Sequence, residues 1–170
     1  MQTHKSLFCL SIIACLAPFL DLAAKHGPSY VLILVDDLGY MDIGAYNPKS
    51  FYETPNVDRL AKSGMKFTDG YAANPVCSPT RFGIQTGRYP SRKDATNFFS
   101  GRRGGLFNSA PLHDKMDLEE VTIAEALKKK DYATFFAGKW HLGPTEEFWP
   151  TKQGYDVNIG GWKHGGPWFG

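Results

Sequence analysis

Tyr30-Val31-Leu32-Ile33-Leu34-Val35, followed at once by Asp36-Asp37-Leu38-Gly39, is the stretch on which the fold turns. Its apolar residues run without the polar alternation of a half-solvated strand, and Val31, Ile33 and Val35 are β-branched. Such a run predicts a strand covered on both faces, as in a parallel sheet. It ends on two carboxylates. In an open α/β sheet, ligands gather outside the carboxyl ends of the strands, so Asp36 and Asp37 stand where a site is expected.

Working toward the C-terminus, Thr54 as N-cap, Pro55 at the first helical position and Gly64 beyond the end predict a helix with Val57, Leu60 and Ala61 on its apolar face. Met65-Lys66-Phe67 predicts a short strand. Ser78-Pro79 opens a second helix, through Arg81 and Gln85 to a stop at Gly87, with Cys77 just before or at its first turn. The stretch from Ser91 to Lys115, rich in Gly, Arg, Ser and Asn, reads as a long surface loop. Thr122 and Glu125 form a capping box for a third helix with Ile123, Ala126 and Leu127 on its apolar side. Tyr132 to Ala137 predicts the next strand, and the tail from Thr145 to Gly170 has no regular period. No repeat is present. This order of elements predicts an α/β layer on a mostly parallel sheet flanked by helices.

Toward the N-terminus, His4 and Lys5 precede an apolar run from Leu7 to Leu20 and the small pair Ala23-Ala24. This is the pattern of a secretory signal peptide over residues 1–24, and the run is short for a membrane span. Ile12-Ile13-Ala14-Cys15 also resembles a bacterial lipobox, which would leave a lipid anchor on Cys15. Export would leave Cys77 as the one cysteine of the mature chain, so no internal disulfide forms and Cys77 is either packed and inert or chemically used. The chain has 170 residues, 42% hydrophobic and 21% charged, with a net charge of +2, which fits a soluble globular domain with no strongly charged partner. Lys128-Lys129-Lys130 and Arg102-Arg103 read as solvated surface, so no nucleic-acid partner is expected.

Three groups carry chemistry. Asp36-Asp37 reads as a turn or helix cap, or as hard oxygen ligands for calcium or magnesium. Cys77-Ser78-Pro79-Thr80-Arg81 puts a thiol at a helix N-terminus with an arginine one turn on, a field that favours an anion; the alternative is a packed cysteine ahead of a proline-started helix. Lys139-Trp140-His141, on a strand or its extended exit, would project Lys139 and His141 together and Trp140 the other way. That pair could bind an anion and move a proton, or decorate the surface.

Together with Thr54-Pro55-Asn56-Val57-Asp58-Arg59-Leu60-Ala61, Gly87-Arg88-Tyr89-Pro90 and Gly138-Lys139-Trp140-His141-Leu142-Gly143, these segments resemble the type I sulfatases, the arylsulfatase group of the alkaline-phosphatase superfamily, over about residues 30 to 160. The resemblance implies that a formylglycine-generating enzyme oxidises Cys77 to formylglycine by reading Cys-x-Pro-x-Arg. The hydrated aldehyde then attacks the sulfur of a sulfate ester, and loss of a proton from its second hydroxyl expels sulfate. It implies Asp36, Asp37 and the hydrated residue 77 as ligands of calcium, with magnesium possible. Arg81 would stabilise the diol oxygen, Lys139 would bridge diol and sulfate, and His141 would take the proton. Thr80 stands where serine is common in the family. The substrate implied is a sulfated small molecule or glycan.

The family's other metal ligands, a second histidine and a second lysine lie beyond the equivalent of Gly170. Residues 25–170 are therefore expected to be the N-terminal part of a sulfatase catalytic domain, inactive in isolation, with an unpaired sheet edge and an exposed apolar face. His164 would lie near the substrate pocket or on the surface. Trp140, Trp149 and Trp162 would frame a ring or pack in the core. A phosphate or phosphonate monoester hydrolase of the same superfamily, a non-catalytic secreted relative, and a thiol hydrolase using Cys77 and His141 directly are the competing readings.

Overall fold

Local signals set the helices of this computed structural model, which describes residues 27–99, 101, 104–108 and 110–165. The signal-peptide and lipobox readings and the Arg102-Arg103 pair lie outside the described residues. The chain divides into two compact units, Met1–Leu38 and Gly39–Gly170.

In the first unit the run Tyr30–Val35 forms no strand, which corrects the sequence expectation. A strand exists only as the hydrogen-bonded neighbour of another, and among the described residues none pairs with it. Its side chains are exposed, Val31 by 84%.

The second unit carries three α-helices among its described residues: α1 (Pro55–Ser63), α2 (Cys77–Thr86) and α3 (Ile123–Lys128). α1 begins on Pro55 and ends at Gly64 as its sequence dictates. The Thr54 hydroxyl does not cap it. It accepts from the Gly44 N–H at 2.8 Å and donates to Asp58 Oδ1 at 2.9 Å, tying the helix start to the preceding loop. Val57 and Leu60 remain exposed. α2 ends at Gly87, whose φ of 67° is the left-handed C-cap that glycine adopts without strain. α3 has the full capping box: the Thr122 hydroxyl accepts from the Glu125 N–H at 3.1 Å and the Glu125 carboxylate accepts from the Thr122 N–H at 2.8 Å. The residue it buries is Ala124, while Ile123 and Ala126 face out, a displacement of the expected apolar side.

Met65-Lys66-Phe67 is not a strand either. The sheet among the described residues is a parallel pair, β1 (Phe135–Ala137) beside β2 (Val157–Ile159), in register Phe135 to Val157 and Ala137 to Ile159. β1 lies within the predicted 132–137 strand; β2 falls in the tail that showed no period. Alternation is clear in both: Phe136 and Asn158 turn inward, while Phe135, Ala137, Val157 and Ile159 leave an apolar face exposed.

The core gathers Phe82 of α2 with Ala95, Phe99, Met116, Trp140 and Leu142, and Phe136, Trp149 and Tyr155 pack against it. Phe136, Trp140 and Tyr155 meet edge to face with ring centres 5.1 to 6.0 Å apart. The stretch from Ser91 to Lys115 is thus not all surface. It opens with a 3-10 turn at Pro90–Lys93, then sends Ala95 and Phe99 inward, and the Phe99 N–H donates to the buried Ser78 hydroxyl at 3.1 Å. Small and aromatic residues inside a polar, glycine-rich composition anchor it. Glu120, buried, holds this segment to the end of α2 through Lys93 at 2.7 Å and a charge contact with Arg88 at 3.3 Å.

Candidate active site

Cys77 is the first residue of α2, where the unpaired N–H groups of a helix start give a partial positive charge. The turn leading to it is built by Asn74, whose side-chain oxygen accepts from the Val76 N–H at 2.9 Å, while the Thr80 hydroxyl donates to the Asn74 carbonyl. Thr80 therefore clasps the first helical turn from within. Asn74 was missed in the sequence, although Asn-Pro is a turn signal.

One turn on, Arg81 is buried, and its Nη1 donates to the Lys139 carbonyl at 2.6 Å. This bond joins α2 to the segment leaving β1. That segment is not an extended exit: Gly138 has φ 106° and His141 φ 58°, so strict alternation is lost after Ala137. Trp140 turns into the core and donates from Nε1 to the Phe148 carbonyl at 2.8 Å, while Lys139 and His141 stay half-buried on either side of it.

His141 Nδ1 lies 3.3 Å from Cys77 Sγ, with the shared proton on either atom according to the imidazole tautomer. The His141 N–H donates to the Trp162 carbonyl at 3.1 Å. The structure thus brings Cys77 and His141 into contact and ties Arg81 to the Lys139 backbone. A thiol at a helix start, an imidazole against it and a buried guanidinium suit nucleophilic attack at an anionic centre. His164 is exposed, with its ring 4.5 Å from that of Trp162. Trp140 is core, and Trp149 packs against the core.

Tyr155, beside β2, braces the arrangement. Its hydroxyl donates to Gln85 Oε1 on α2 at 2.8 Å; burial pushes the phenol above its ordinary value of 10.0, and the Gln85 bond acts in the opposite direction.

Asp36 and Asp37, in the other unit, form an exposed turn, with Asp37 at φ 57°. Two adjacent carboxylates are donors of the right chemistry for a hard divalent cation. Among the described residues, no three His, Cys, Asp or Glu side chains are grouped to hold a metal.

The sulfatase family model matches residues 28–166. Pig N-acetylgalactosamine-6-sulfatase is 40% identical over 139 residues, covering 81% of this chain and 26% of its own. Human arylsulfatase A is 43% identical over 143 residues, covering 82% and 26%. The crystal structure of Ps i-CgsB superposes with a TM-score of 0.66 at 37% identity, covering 77% of this chain and 27% of that one. An α/β chain with a cysteine at a helix start and a neighbouring imidazole is thereby placed among the sulfatase folds. The chain belongs to the sulfatase family. It spans about a quarter of the length of these curated relatives. The competing readings gain no support from the relatives' names.

Proposed function

We propose that the protein to which this chain belongs hydrolyses sulfate esters, with Cys77, after conversion to formylglycine, as the nucleophilic residue. The observation that carries this reading is the contact of Cys77 Sγ with His141 Nδ1 at 3.3 Å, at the start of a helix whose Arg81 is anchored to Lys139. The converted residue would supply a hydrated aldehyde whose hydroxyl attacks sulfur. His141 would accept a proton at Nδ1 from residue 77, in keeping with its contact to Cys77 Sγ. Arg81 and Lys139 would hold negative charge that develops on the ester and on residue 77.

Asp36 and Asp37 would hold calcium, with magnesium as the alternative, together with ligands from outside this chain. The ion would polarise the sulfate oxygens. The substrate is a sulfated small molecule or glycan, in keeping with relatives named for N-acetylgalactosamine-6-sulfate and aryl sulfates. Export through residues 1–24 and maturation by a formylglycine-generating enzyme complete the proposal, and residues 25–170 would be the first part of the catalytic domain. No helix among the described residues is long and apolar enough to cross a membrane.

Co-expression with a formylglycine-generating enzyme, followed by the mass of the peptide containing Cys77, tests the nucleophile. Conversion to the aldehyde is expected, with sulfate-ester turnover by the full-length protein. A thiol that stays unconverted while a control sulfatase in the same cells is converted would overturn the reading.

A further inference from the structure

The imidazole of His141 is not held by its own hydrogen bonds alone. Beyond β2, the Asn158 side chain brackets a turn, donating to the Gly161 carbonyl at 2.8 Å and accepting from the Gly161 N–H at 3.0 Å. The chain then runs past His141: the Trp162 carbonyl takes the His141 N–H at 3.1 Å, and three residues later Gly165 lies against the ring. A β-carbon on Gly165 would stand 2.7 Å from His141 Nδ1, 2.8 Å from Cε1 and 3.5 Å from Cγ. The first two are closer than non-bonded carbon and nitrogen approach, so the ring or the segment would have to move. Gly165 is outside the left-handed region, so its backbone would accept alanine; the restriction is one of space.

Nδ1 is also the atom that meets Cys77 Sγ. The thiol and the bare backbone of Gly165 therefore both approach the ring at Nδ1. We infer that Gly165 is a positioning residue whose missing side chain leaves the His141 imidazole room to meet residue 77 at Nδ1. The inference rests on the reading of Cys77 and His141 as the working pair. Its test is independent of sulfatase turnover.

The readout is the rate at which iodoacetamide alkylates unconverted Cys77 at neutral pH, measured in the whole protein. A neighbouring imidazole accepts the thiol proton as sulfur attacks, so His141→Ala should slow alkylation by at least about tenfold. Gly165→Ala should slow it to a similar extent, and the double variant should be no slower than His141→Ala alone, because the added methyl then has no ring to displace. Gly104→Ala, at a site with open space around it, should change nothing. If Gly165→Ala instead fails to fold, His141→Ala in the same chain should restore folding by vacating the space. A Gly165→Ala rate equal to wild type, a further slowing in the double variant, or no folding rescue would overturn the inference. Alkylation as expected without any sulfate-ester turnover would leave it standing and remove the proposed function.

Discussion

Cys77 Sγ and His141 Nδ1 meet at 3.3 Å across 64 residues of sequence. The contact depends on two independent fixtures. Asn74 and Thr80 set the first turn of α2, and the Trp162 carbonyl holds the backbone of His141. In the full-length converted protein, Cys77→Ala should abolish sulfate-ester turnover. His141→Ala should lower kcat by about a hundredfold or more, the usual contribution of a positioned proton acceptor. Steady-state kinetics check both. A His141→Ala enzyme with wild-type kcat would exclude the imidazole from the reaction.

Arg81 acts on stability as well as charge. Its guanidinium is buried and bonds the Lys139 carbonyl, so its loss frees the segment that carries His141. Arg81→Ala should cost about 1–3 kcal/mol, the range for removing a charged hydrogen-bond donor from a part-buried acceptor. Arg81→Lys should recover less than half of that, since an ammonium lacks the planar fork. Urea midpoints of the two variants measure this. Full stability and turnover in Arg81→Lys would show that charge alone suffices.

The helices and the chemical motif were legible because their signals are local. Pro55 and Gly64, Ser78-Pro79 and Gly87, and the Thr122–Glu125 box each state a helix boundary, and each is met to within a residue. The site residues were legible as types at element ends. Their meeting was not, because it depends on backbone turns at Gly138 and His141 that no periodicity reports. Strands fared worse for a physical reason. Tyr30–Val35 has the composition of a buried strand, but composition supplies no neighbouring strand, and the run joins no sheet among the described residues. Val157–Ile159 has only three residues and a polar Asn158 turned inward, too little alternation to announce itself, yet it pairs because β1 offers a parallel edge.

Thr122 joins local and long-range order. Its hydroxyl accepts from the Glu125 N–H and donates to the Gln153 carbonyl at 2.7 Å, so the cap of α3 is also a buried tie to the segment before β2. Thr122→Ala should cost about 2–3 kcal/mol, a lost cap together with an unsatisfied buried carbonyl. Thr122→Ser should recover most of it. Denaturation curves of the pair decide the matter, and an alanine variant within about 0.5 kcal/mol of wild type would show that the tie contributes nothing.

Asp156 makes stability depend on pH. Lys128 Nζ lies 2.5 Å from its Oδ1, and the Thr134 N–H and hydroxyl donate to Oδ2 at 2.8 and 3.0 Å. The Lys128 bond first, then the Thr134 bonds, bring its carboxyl from 3.8 to about 2. The folded carboxyl binds its proton less readily than the unfolded one, so the ionised form favours the fold. That contribution is complete above the unfolded value of 3.8 and fades as pH falls toward 2. Asp156→Asn removes the charge at every pH. The difference in melting temperature between wild type and Asp156→Asn should therefore be constant near neutrality and shrink on acidification from about pH 5 to about pH 2. It should also narrow in high salt, because the pair is exposed to solvent. A difference that holds constant through the acid range would mean that the Lys128 and Thr134 contacts do not discriminate between the two protonation states.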